Sequence, residues 1–244
     1  MRHYPLEHWV VPQATPKYAN LKYFFRNSNR EPPVLQMGLS FISLLTLLSN
    51  HPTEPCAWYL PVNFANRQAW EHVRLTAIGA YGLMRKARPN VPAHYHTATD
   101  FMRPGDNYEN EPIFPAARGR VISQRDDGPF AQLIVEHVTS STDTVWTVYE
   151  HIAGLKVVVG DTVHPFTPIG RFMTKKELNK YGWQFDHLHF EIMKYRPKPL
   201  APTQKTPMRL FQVYNLVCYK KSDLEKYYHA PQEFFEACWK SAHP

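Results

Sequence analysis

Two histidines two residues apart, His187 and His189, followed by Glu191, form the densest chemical signal in the chain. On an extended strand, residues two apart point to the same side. His187, His189 and Glu191 therefore share one face, and Leu188, Phe190 and Ile192 share the apolar other. Such a strand is expected to lie on a core and present a site. His96 and Asp100 form a second pair. Four residues bring both to one side of a strand or of a helix, so parity does not choose. Thr97 and Thr99 favour extended backbone, and segment 96–100 is expected to be a strand or strand edge. Zinc accepts His nitrogen and carboxylate oxygen, and catalytic sites use three protein ligands with one position left open. His96, Asp100 and one of His187 and His189 complete such a set. The chain has no CxxC and no HExxH. A third element is Tyr149–Glu150–His151, at the end of the β-rich run from Val145. His151 is expected on the face of Thr147 and Tyr149. A neutral imidazole beside a metal accepts a proton or donates a hydrogen bond.

These groups need a β framework, and the sequence offers one. Residues 121–125, a turn at 126–129 and residues 132–138 read as a hairpin. Residues 71–90 read as a helical opening followed by a strand at Tyr81–Gly82. Pro197, Pro199, Pro202 and Pro207 form a stiff linker, and residues 208–244 read as largely helical, with Leu210–Phe211 and Phe234–Phe235 as docking residues. That tail is too short to bury a core of its own. Residues 38–48 are apolar and fit either a buried helix or a signal-peptide core. No stretch predicts a stable transmembrane span. Cys56, Cys218 and Cys238 are consistent with one bridge and a free thiol, or with three thiols.

The 244 residues suffice for one good domain with flanking pieces, and 43% hydrophobic against 20% charged residues is an ordinary globular balance. A net charge of +7 favours anionic partners. No recognisable nucleic-acid module accompanies the basic residues, so no nucleic acid is expected. An anionic cell envelope suits the motif reading better.

In this order, HTATD (96–100), YEHI (149–152) and HLHFE (187–191) resemble the lysostaphin-type (LytM-type) zinc endopeptidases of bacterial cell walls. Residues 112–121, the Val159–Gly160–Asp161–Thr162–Val163 turn, Pro168–Ile169–Gly170, and Tyr81–Gly82 with Arg85 extend the likeness over roughly 75–194. Three departures stand out. Ala98 replaces a glycine of the first motif, where its methyl is expected to narrow the groove. Phe166 stands where a glycine is usual. The charged, aromatic segment 174–186 replaces a glycine-rich stretch and is expected to be stiff and to border the groove.

The resemblance implies a mainly β fold: an antiparallel β-sheet or β-sandwich core of open-barrel type, with helical N- and C-terminal flanks. It implies a flanking region 1–70 (signal or pro-region), a zinc peptidase domain 71–196, and a linker and tail 197–244. It implies one Zn2+ per chain held by His96, Asp100 and His189, with His187 and His151 as the acid/base pair and Glu191 orienting an imidazole. His94, His137 and His164 are expected to lie outside the site. The implied activity is hydrolysis of peptide bonds in peptidoglycan stem or bridge peptides, in the cell envelope, periplasm or outside the cell. The alternative is a non-hydrolytic peptidoglycan-binding or amidase-activating domain of the same fold. A zinc carboxypeptidase of the D-Ala-D-Ala type would need a longer His-to-Asp spacing and ExxH in place of HxH.

Overall fold

A computed structural model describes residues 56–139 and 143–242 of the chain. The apolar stretch 38–48 and most of the signal or pro-region reading of 1–70 lie outside the described residues.

The strands are β1 (Met84–Arg85), β2 (His94–Tyr95), β3 (Thr99–Met102), β4 (Pro112–Ile113), β5 (Gly119–Arg125), β6 (Gln132–Val138), β7 (Thr144–Glu150), β8 (Thr162–Val163), β9 (Gly170–Arg171), β10 (His187–Met193), β11 (Lys198–Pro199), β12 (Phe211–Gln212) and β13 (Tyr228–His229). The helices are α1 (Lys175–Tyr181), α2 (Lys221–Tyr227) and α3 (Pro231–Ala242). The main sheet runs β13–β10–β7–β6–β5–β8, and β3 pairs with the first half of β10. All pairings are antiparallel. The fold is mainly β, and no closed barrel forms among the described residues.

Alternation along β10 sorts its side chains as its sequence requires. Leu188, Phe190 and Ile192 enter the larger core with Leu133, Val135 and Tyr149. From 56 onward the chain joins that core through Trp58, Leu60 and Val62, and Cys56 is disulfide-bonded to Cys238 of α3. Phe235 of α3 stacks on Phe190 at 6.0 Å. On the opposite face, Ile134, Trp146, Val148 and Met193 meet Val213, the buried free Cys218, Leu224 and Tyr228. The C-terminal segment thus covers one end of this face, and the histidines of β10 occupy the other.

Several local expectations change. Residues 71–80 are turns, not helix, and Tyr81–Gly82 is a turn with Gly82 at φ 77°; the strand follows at Met84. Residues 208–220 hold β12 and a 3-10 turn, because β12 extends a ribbon with β11. The helical reading holds from Lys221 onward. Segment 96–98 is a bend, and β3 starts only at Thr99. Ala98 is fully buried, so its methyl packs inward instead of narrowing a groove.

Candidate metal centre

Asp100 on β3 lies directly opposite His189 on β10 in the antiparallel register. Side chains of such a pair share a face and come close together. His96 arrives from the bend before β3. Its backbone is held by the turn at 82–83, with Gly82 N–H donating to His96 O and His96 N–H to Leu83 O, each at 2.8 Å. Gly79 packs its backbone on this point; a Cβ there would lie 2.8 Å from the Asp100 Cβ.

Three donor atoms converge. His189 Nδ1 is 3.0 Å from Asp100 Oδ1, His96 Nε2 is 3.1 Å from the same oxygen, and the two ring nitrogens are 3.2 Å apart. Tetrahedral zinc with bonds of 2.0–2.1 Å separates its ligand atoms by about 3.3 Å. The triangle is therefore of the right size and needs only slight widening. The donor set, two imidazoles and one carboxylate, is one that zinc accepts.

The outer atoms of each group are occupied as well. His96 Nδ1–H donates to Ala80 O at 3.0 Å, which leaves Nε2 with its lone pair facing the triangle. His189 Nε2 meets Glu191 Oε1 at 3.2 Å, and Thr97 Oγ1 donates to the same oxygen. Asp100 Oδ2 takes Arg85 Nη2 at 2.8 Å, so only Oδ1 is turned inward.

The charges follow from this packing. Burial opposes ionisation of Asp100, yet hydrogen bonds from His189 and His96 outweigh it and hold the carboxyl well below its usual range. Burial likewise opposes protonation of His189, but hydrogen bonds to Asp100 and Glu191 raise it to about 10. Burial is the leading cause that lowers His96. His189 thus lies between two carboxylates, with its Nδ1 at one vertex of the donor triangle.

His187 lies one alternation along β10, with Nε2 3.8 Å from Asp100 Oδ1. Burial pushes its pKa down to about 3. His151 stands 4.7 Å from His187 and 6.1 Å from His189 between ring centroids. Strand alternation would put His151 with Thr147 and Tyr149, on the core side, and that expectation is corrected. β7 ends at Glu150, and His151 takes φ 64°. This left-handed conformation is rare for a residue with a Cβ. It turns the ring over to the face of His187, where Nδ1 hydrogen-bonds Pro129 O. Burial lowers the His151 pKa too.

The three histidines expected outside the site lie elsewhere. His94 is buried and bonds Pro92 O, His164 is exposed, and His137 spans Arg118 O and Thr147 Oγ1 inside the sheet.

Segment 174–186 is an ordered wall. Thr174 and Glu177 form a reciprocal capping box on α1, and Arg171 holds Glu177 at 2.6 Å. Gly182, at φ 118°, permits the reversal into a 3-10 turn at 183–185. Phe185 then lies 5.0 Å from the His151 ring, and Phe130 packs on both. The site roles of Thr97, Phe130 and Pro129 O carried no sequence signal, because each depends on tertiary placement. Arg85 belonged to a motif but not to a stated site.

The family described as Peptidase family M23 matches residues 94–202. No curated protein matches the chain. Among solved structures, a zinc containing peptidase from Vibrio cholerae is 23% identical, with a TM-score of 0.39 over 56% of this chain and 36% of that one. The antimicrobial peptidase lysostaphin from Staphylococcus simulans is 16% identical, with a TM-score of 0.39 over 68% and 50%. The catalytic domain of the prophage-encoded protein EnpA from Enterococcus faecalis is 18% identical, with a TM-score of 0.37 over 56% and 88%. The chain thus spans about a third of the Vibrio cholerae protein and half of lysostaphin. Likeness at this level says nothing about activity.

Proposed function

We propose, from the premise that residues 94–202 of this chain belong to peptidase family M23, that the protein is a zinc-dependent endopeptidase acting on stem or bridge peptides of peptidoglycan. The observation that carries this reading is the triangle of His96 Nε2, Asp100 Oδ1 and His189 Nδ1, with edges of 3.0–3.2 Å. In this reading these three residues hold one Zn2+ per chain. When bound, zinc supplies Lewis acidity that polarises a carbonyl and acidifies a water.

The chain's own groups do the rest. His151 and His187 are held neutral by burial, so near neutral pH each offers one ring nitrogen with a lone pair and one N–H. Pro129 O accepts from His151 Nδ1–H, leaving Nε2 free to act. Glu191 keeps the His189 ring turned with Nδ1 inward. The carbonyl substrate lies between the donor triangle and the two outer imidazoles, where one imidazole accepts the water's proton and the other donates to the developing oxyanion. Residues 71–196 are the catalytic domain, with 1–70 and 197–244 flanking it. The Cys56–Cys238 disulfide supports work in an oxidising compartment such as a periplasm, the cell envelope or the medium. No helix among the described residues is long and apolar enough to cross a membrane.

Metal analysis of the purified protein, combined with digestion of purified sacculi by wild type and His189→Ala, tests the reading. About one zinc and released peptides for wild type, and neither for the variant, uphold it. Stoichiometric zinc without cleavage of any wall type favours a non-hydrolytic binding or amidase-activating role instead.

A further inference from the structure

The wall built by residues 174–186 carries one side chain that neither the fold nor the chemistry above uses. Leu178 and Met173 gather Tyr108, Tyr181 and Phe185 into a small core, but Trp183 is left out of it and is 50% exposed. Leaving so large an apolar surface in water forgoes substantial burial energy. The indole is nonetheless fixed. Its Nε1–H donates to Asn179 Oδ1 at 3.0 Å, and the Tyr108 ring meets it at 5.8 Å with an interplanar angle of 64°. Tyr108 is itself buttressed by Arg103, whose guanidinium lies 4.4 Å from the ring centre. Arg103 also bonds Asp186, the residue before His187.

The indole is therefore a rigid, half-open shelf whose only polar atom is already satisfied. It sits two residues before Phe185, which touches His151, so the shelf belongs to the same short turn as a side chain of that face. A surface of this kind suits a ligand that offers C–H bonds to a π face and needs no hydrogen bond from the ring. The C–H face of a pyranose does so, since its hydrogens carry the positive charge that the ring face attracts. Lys176 and Lys180 on the neighbouring helix are exposed and suit the carboxylates of a stem peptide attached to that sugar.

We propose that Trp183 is a saccharide subsite that stacks on a pyranose ring of the glycan strand beside the peptide to be cut. The proposal rests on the peptidoglycan-peptidase reading above and names a part of the substrate that reading leaves open.

The test compares one cross-linked muropeptide bearing its disaccharides with the same peptide after the sugars are removed by an amidase. Wild type is expected to cleave the glycosylated form with the lower KM, by up to about tenfold, or about 1.4 kcal/mol. Trp183→Ala should lose that preference through KM, with kcat and zinc content unchanged, and Trp183→Phe should keep part of it. Equal KM for both substrates in wild type overturns the proposal. So does an equal rise in KM on both substrates in Trp183→Ala, which would put a peptide side chain on the shelf. If wild type cleaves neither substrate, the peptidase reading fails, and calorimetry with peptide-free glycan strands decides the shelf. Binding that Trp183→Ala abolishes upholds it, and no binding by wild type overturns it. Circular dichroism of both variants excludes loss of fold as the cause.

Discussion

Asp100 and His189 face each other across the β3–β10 ladder, and one carboxylate oxygen of Asp100 meets the ring while the other is held by Arg85. The antiparallel register thus fixes one edge of the donor triangle through backbone pairing, and the arginine decides which oxygen points inward. Removing the arginine should free the carboxylate to rotate. Arg85→Met is expected to weaken zinc binding by about 10–100-fold, the usual effect of losing an outer partner of a metal ligand. Arg85→Lys should recover part of the loss. Competition with a chromophoric chelator measures both, and unchanged affinity in Arg85→Met would show that Asp100 is oriented without it.

Protons compete for the same site. Without metal, His189 holds its second proton up to about pH 10, against the opposing effect of burial. A zinc ligand must be neutral, so binding releases that proton. Zinc affinity should rise by about tenfold per pH unit between pH 7 and 9. The same competition assay run across that range checks the slope. A flat profile would mean that His189 is already neutral or does not bind the metal.

His151→Ala separates proton handling from metal holding. Its ring is 6.1 Å from the His189 ring and outside the donor triangle. The variant should keep about one zinc per chain and lose a factor of about 10²–10⁴ in kcat. Metal analysis with a turnover assay reads both quantities. Loss of zinc in this variant would show that the ligand set is wrong.

This division shows what the sequence made legible. The pairing of His187 with His189 on one strand face followed from alternation alone, and β10 realises it. The register that sets Asp100 against His189 is a long-range pairing, which no local pattern contains. His151 escaped the pattern for a sharper reason. Counting by twos assumes an unbroken strand, and its left-handed backbone ends the count one residue early. The bend at 96–98 hid in the same way, because Thr97 and Thr99 favour extension but His96 is tied to the turn at 82–83. The wall at 174–186 was readable as stiff because charged and aromatic residues stand there in place of glycines, and the Thr174–Glu177 capping box adds to this in the structure. Its contact with His151 was not, since Phe185 reaches that ring only through the turn at Gly182.

Inside the sheet, His137 gives the fold a pH dependence of its own. Burial lowers its pKa to about 4. The unfolded chain takes up the proton near pH 6.5, and the folded one only near 4. Its contribution is therefore fully present above about pH 6.5 and is lost as pH falls toward 4, by an amount of the order of 3 kcal/mol. Urea titrations of the zinc-free protein from pH 7 to 4 should show the loss, and His137→Gln should show a shallower slope. An identical slope would move the effect to other groups.

In the proposed reading, this chain cuts peptidoglycan peptides with zinc held by His96, Asp100 and His189. This is tested most directly by peptide release from purified sacculi before chelation, after chelation, and after one equivalent of zinc per chain is returned. Release, its loss, and its recovery at that single equivalent are the expected outcome. Release that survives complete removal of zinc, or no release at full occupancy, would contradict it.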